Sequence, residues 1–258
     1  MLTFTQVRDA RPEQWSASGE EWLATAGSVS ATVTALDQVK DLDAATVACH
    51  ASALLCKSLS DALRIAQHCV LHAVELARSA GLRVDDTGWV HLPTGVPGAR
   101  KHATRHTVEF LIAAAVRGAS EAEQIATALL QRFAGSLAGT RDTTVDLSEA
   151  TRAGQEMLAG LVPNGTPDEV AAWWGALPAD DRHALILAVP ARLAGSLTGV
   201  WPRDRHRSTP VPDDDPAGHG IWTGWHWLDE DDQIRVPQWA QARASHDFWS
   251  HRECADRP

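Results

Sequence analysis

The chain contains no tyrosine and only three lysines, at positions 40, 57 and 101, against twenty arginines. No apolar run approaches the roughly eighteen residues that a membrane-spanning helix needs, so no span is expected. Met1 to Arg11 lacks a basic start followed by an apolar core, so no classical secretory signal is expected either. Cysteine is sparse, and Cys49, Cys56, Cys69 and Cys254 show neither a Cys-x-x-Cys pair nor the spacing of a disulfide framework. A basic excess is also missing. The 23 Lys and Arg residues face 33 Asp and Glu, a net charge of −10 that speaks against a nucleic-acid-binding face. What remains is 258 residues, 44% hydrophobic, enough for one large or two small domains with a real core.

The clearest signal present is helical periodicity. Trp15, Trp22, Ala26, Val29, Val33 and Leu36 recur at steps of seven, or four and three, as on one helical stripe. Pro12 and Glu13 suit a helix start, the proline in the first turn and the carboxylate at the positive end of the dipole. Lys40-Asp41-Leu42-Asp43 reads as a polar break. A second stripe follows: Ala48, Ser52, Leu55, Leu59, Ala62, Ala66, Cys69, Ala73, Leu76 and Ala80, with Gly81 as its stop. A helix of about 36 residues would be about 54 Å long. Two long helices with a tight connection should lie antiparallel. Their seam is expected at Trp15, Trp22, Val29, Leu36, Leu55, Leu59 and Leu76. Leu54, Leu63, Val70 and Val74 are left over and call for a further partner, from this chain or another.

Beyond the hairpin, Gly81 to Leu92 reads as two short strands, with Asp85 to Gly88 as the turn between Val84 and Val90. Helices are expected over Lys101 to Arg117, ending at Gly118, and from a Ser120/Glu123 capping box to Phe133. Further helices are expected over Leu147 to Leu161, after a second capping box at Thr166 and Glu169, and over Asp181 to Ala188.

The helical hairpin followed by "GLRVDDTGWV" resembles the N-terminal region of actinobacterial proteins related to WXG-type substrates of type VII secretion. The segment "GTPDEVAAWWGALPADDRHALILAVPARLAG" resembles the stretch that precedes the catalytic domain in actinobacterial α/β-hydrolase proteins with such a helical N-terminus. Together the similarity spans roughly residues 1–200. It implies an architecture and carries over no catalytic residue. The connection holds Asp41-Leu42-Asp43 where WXG-type hairpins hold Trp-x-Gly. The tyrosine of the usual C-terminal secretion signal is missing. Ser136 and Ser196 lack the glycine two residues before a nucleophile-elbow serine.

From Trp201 the composition changes. Pro202 to Gly220 reads as a linker, and Trp222, Trp225, Trp227, Trp239 and Trp249 follow in an irregular, histidine-rich segment. Metal ligation has two settings here. His68, His72 and Glu75 share a helical face, and two imidazoles one turn apart can chelate a divalent ion. Their place off the main stripe equally suits a solvated face. His219, His226, His246 and His251 could cluster with Cys254, although no pair has a diagnostic zinc spacing. Cys49 and Cys56 lie two turns apart, about 10 Å, too far for a mutual disulfide.

The sequence therefore predicts a mainly α protein. A long antiparallel hairpin with a small β-hairpin occupies residues 1–98, a helical domain 99–200, and a linker with a Trp/His-rich segment 201–258. Its expected role is a non-enzymatic helical interaction protein related to type VII secretion substrates or partners. The expected partner is another helical protein or a second copy, with no cofactor, nucleic acid or membrane span. The chain would act in the cytoplasm or after export by the type VII route. The alternative is a secreted effector with a small, metal-dependent activity in residues 201–258.

Overall fold

The structure, a computed structural model, describes residues 1–36, 39–93, 98–137 and 145–197. Among the described residues it holds eight helices and one two-stranded antiparallel sheet. They fall into two compact units, one of Met1–Leu161 and one beginning at Val162. The division expected after residue 98 falls inside the first unit.

The first unit opens with α1 (Phe4–Arg8), which the periodicity did not suggest. Thr3 and Gln6 form a reciprocal capping box at its start, and Phe4 and Val7 are buried. Helix α2 (Pro12–Leu36) begins on its proline, as expected. Helix α3 (Val39–Ser79) is the hub, packing against α1, α2, α4 and α5. Ser60 donates to the carbonyl of Pro12 at 2.7 Å, and a Cβ on Gly19 would lie 3.3 Å from the carbonyl of Ala53. One heptad forward on α2 is thus one heptad back on α3, which makes the pair antiparallel. Gln67 Nε2 donates to the carbonyls of Arg8 and Ala10 at 2.8 and 2.9 Å, pinning the α1–α2 link onto α3.

Two expectations about helix boundaries are corrected. Lys40 to Asp43 lie inside α3 and do not form the connection. Two aspartates early in a helix read locally like a break, but they are equally favourable in a first turn, at the positive end of the dipole. Gly118 and Ser120 neither stop nor start a helix, because α4 (Ala99–Leu137) is continuous through both. Ser120 Oγ donates back to the carbonyl of Val116 and accepts from the amide of Leu2 at 2.9 Å. Gly118 is where α4 meets α5 (Leu147–Leu161): a Cβ there would lie 2.9 Å from Leu161 Cδ2 and 3.0 Å from Leu161 Cα. Near the other end of the α4–α5 pair, Arg132 is bonded to Glu149, so these helices are also antiparallel.

The end of α3 follows its sequence signal. Gly81 has φ +70°, Gly81 N–H donates to the carbonyl of Arg78, and Leu82 N–H to that of Ala77. This is a Schellman stop, in which glycine accepts the left-handed conformation. Strands β1 (Arg83–Val84) and β2 (Val90–His91) pair Arg83 with His91 and Val84 with Val90. Gly88, at φ +86°, closes the turn against the Phe4 ring of α1.

The second unit contains α6 (Pro167–Ala176), α7 (Ala179–Ala188) and α8 (Pro190–Leu197). The Thr166/Glu169 capping box is present at the start of α6, with proline in its first turn. Trp173 is 1% exposed and its ring centroid lies 5.9 Å from that of Trp174, so these indoles form the core of the unit. Residues 201–258, including every tryptophan from Trp201 onward, lie outside the described residues.

Candidate interaction surface

Helix α3 is occupied nearly all round. Its stripe from Ala48 to Ala73 is buried, as are Leu63 and Val70, which were left over in the hairpin pattern. Besides α2, helices α1, α4 and α5 of this chain pack on α3. Leu54 stays 40% exposed.

Helix α2 is different, because among the described residues its extensive packing is with α3 alone. The residues that sink into the α3 contact are Pro12, Gly19 and Ala26, one heptad apart. Small residues there let the two helices approach closely. Trp15, Trp22 and Val29 form the next row, at the edge of the contact: Trp15 is 37% exposed, and Trp22 and Val29 are half-buried. Leu23, on the other flank of the seam, is 50% exposed. On α3, Leu55 and Leu59 are fully buried and Leu76 is half-buried. The side chains of Val33 and Leu36 lie outside the described residues. The charged residues of α2 up to Leu36 are Glu13, Glu20 and Glu21, with no lysine or arginine. The helix thus offers apolar side chains and negative charge together.

Beside Trp15 lies a groove of about 470 Å³ in the first unit. Leu59 and Leu63 of α3 line it, together with Gln14 and Trp15 of α2 and Glu123 of α4. Helix α1 and the link after it bound it with Asp9 and Arg11. Asp9 is engaged by Arg8, Nε to Oδ1 at 2.8 Å, and the guanidinium beside it holds its carboxyl below the usual range. This groove draws on four elements distant in sequence.

The β-hairpin turn is organised by Asp85. Its Oδ1 accepts from Thr87 Oγ1 at 2.6 Å, Thr87 N at 2.9 Å and Trp89 N at 3.1 Å, while Oδ2 lies 2.7 Å from His91 Nε2. The Thr87 hydroxyl foremost, and His91 next, hold the Asp85 carboxyl well below the usual carboxylate range. A carboxyl depressed in the folded state adds stability that is complete above its unfolded pKa of about 4 and is lost as pH falls below it. The stability gap between wild type and Asp85→Asn should therefore be widest above pH about 5 and narrow steadily from about pH 4 downward. Denaturant midpoints measured across that range check this; a gap constant with pH would contradict it.

The candidate metal ligands on α3 are not gathered into a site. His68 is half-buried, and burial, followed by nearby Arg64, pushes its pKa down. His72 and Glu75 are exposed, and Glu75 pairs with Arg78 at 2.7 Å. Among the described residues no group of three His, Cys, Asp or Glu side chains is placed to hold a metal ion. His219, His226, His246 and His251 lie outside the described residues. Cys49, Cys56 and Cys69 are buried, and burial pushes the thiols of Cys49 and Cys56 up, away from reactivity. Ser136 and Ser196 lie in the last turns of α4 and α8, so each is led into by a helix and not by the strand that a nucleophile elbow follows. No helix among the described residues is long and apolar enough to cross a membrane.

Comparison with protein-family models, with curated proteins and with solved structures finds no match to this chain.

Proposed function

We propose that the protein is a non-catalytic helical interaction protein that receives another helix-rich protein on the free side of α2, and that it is related to type VII secretion substrates or partners. The observation that carries the reading is that, among the described residues, α2 packs extensively on one neighbour, with Trp15, Trp22 and Leu23 left partly or largely accessible. A helix in a stable bundle normally buries a continuous apolar face, so an apolar row at the rim is surface available to a further helix. The hairpin architecture and the actinobacterial resemblance of its sequence support the secretion setting.

The test is co-expression of the full chain with whichever small helical protein is encoded nearest to it. A stoichiometric complex is expected by size-exclusion chromatography with light scattering. Leu23→Asp should weaken it by at least tenfold while leaving thermal unfolding nearly unchanged, because an exposed position contributes within about 0.5 kcal/mol to stability. A full chain that forms no such complex, or a complex indifferent to Leu23→Asp and Trp22→Asp, overturns the reading.

A further inference from the structure

We propose that the groove beside Trp15 seats a cationic anchor, an arginine or lysine side chain presented by an amphipathic helix of the partner. This rests on the reading of α2 as an interaction face and assigns the chemistry of what binds there.

Three observations converge on a long cationic side chain. Leu59 and Leu63, which are 1% and 7% exposed, form the apolar floor of the groove. The Trp15 indole, 37% exposed, lines the same space. Glu123 of α4 also lines it, half-buried and with no hydrogen-bond or ion-pair partner among the described residues. A carboxylate with no partner of its own can form a charge-assisted contact with an arriving cation. Lysine and arginine match the rest, because their stems cover apolar surface while their heads reach a charge. An accessible indole adds cation–π attraction.

The other charges around the groove do not change this assignment. Asp9 is taken by Arg8, whose Nε and Nη2 donate to its two carboxylate oxygens at 2.8 and 2.9 Å. Arg11 is exposed and lines the same groove; it repels an incoming cation too, but its charge is screened by water, whereas Glu123 is half-buried and has no ion-pair partner among the described residues. Along α2, Glu13, Glu20 and Glu21 stand without a cation on the same helix, which favours the approach of a basic helix and disfavours an acidic one. A space of about 470 Å³ admits one or two long side chains and not a helix, so the body of the partner would lie outside it, with its anchor inserted.

Fluorescence anisotropy with the full chain tests this. Two labelled amphipathic helical peptides are compared, identical except for arginine or glutamate on the polar face. The arginine peptide should bind at least tenfold more tightly. Glu123→Gln should reduce that preference several-fold, and Glu123→Arg should reverse it. Replacing the peptide's arginines by citrulline repeats the comparison on the unaltered protein, independent of how any variant folds, and should abolish the preference. Equal binding of both peptides, an arginine peptide insensitive to Glu123, or no binding of either overturns the anchor. Loss of the partner complex in co-expression would instead count against the interaction face itself, so the two failures are distinguishable.

Discussion

Leu59→Asp is expected to abolish cooperative folding of the first unit. Leu59 is 1% exposed on α3, the helix against which α1, α2, α4 and α5 all pack. Truncating a buried leucine to alanine costs about 2–5 kcal/mol through lost transfer energy and an unfilled cavity. Aspartate adds the penalty of a buried charge, several kcal/mol more, or the work of protonating it. The sum reaches the total stability of an ordinary domain, about 5–15 kcal/mol. Leu71→Asp is the matched control: the same substitution on the same helix, at a position 47% exposed. Far-UV circular dichroism with temperature should show a native-like melt for Leu71→Asp and lost or non-cooperative helicity for Leu59→Asp. Equal melting of the two would mean that α3 is buried on a different face.

Gly118→Ala should destabilise the protein although it replaces glycine within a helix. At an open helical position that exchange gains about 0.5–1 kcal/mol, because alanine has less backbone freedom to lose. At Gly118 the new Cβ would sit 2.9 Å from Leu161 Cδ2, 3.0 Å from Leu161 Cα and 3.1 Å from the carbonyl oxygen of Gly160. Two of those three atoms are backbone, so no rotamer change makes room and α4 must move away from α5. Overpacking of this kind costs about 1–3 kcal/mol. Gly27→Ala supplies the opposite sign, since its Cβ on α2 would meet nothing within 4 Å. Urea midpoints should fall for Gly118→Ala and rise slightly for Gly27→Ala. A rise for both would show that α4 and α5 are not in close contact at this point.

Gly118 also shows where the sequence stops being legible. Local signals with a local cause were read correctly: Pro12 opening α2, Gly81 closing α3, the Thr166/Glu169 box opening α6, and the turn from Asp85 to Gly88. The four-and-three spacing from Ala48 to Ala73 marked a face that is buried. Gly118 and Ser120 carry the same local marks as a stop and a cap, but their reasons are tertiary. One admits Leu161, and the other receives the amide of Leu2. Nothing within a helical turn of either residue reveals those partners. In α2, the stripe read from the sequence included Ala26, which is buried, but set Trp15 and Trp22 on the seam, whereas close approach to α3 selects the small Gly19 beside Ala26 and leaves the indoles at the rim. Thr3 and Gln6 did have the form of a capping box, but α1 is five residues long and too short for a periodic pattern. The groove could not be read from the sequence, because Trp15, Leu59, Leu63 and Glu123 meet only after three long helices have packed.

The most direct measurement is amide hydrogen exchange along the full chain, alone and in complex with its co-expressed helical partner. With one substantial neighbour among the described residues, α2 should exchange faster than α3 in the free protein, since local stability follows packing. Binding should slow exchange across residues 12–31 and around Glu123, and Leu23→Asp should remove that protection. Protection confined to residues 201–258, with α2 unchanged, would contradict the assignment of α2 as the interaction face.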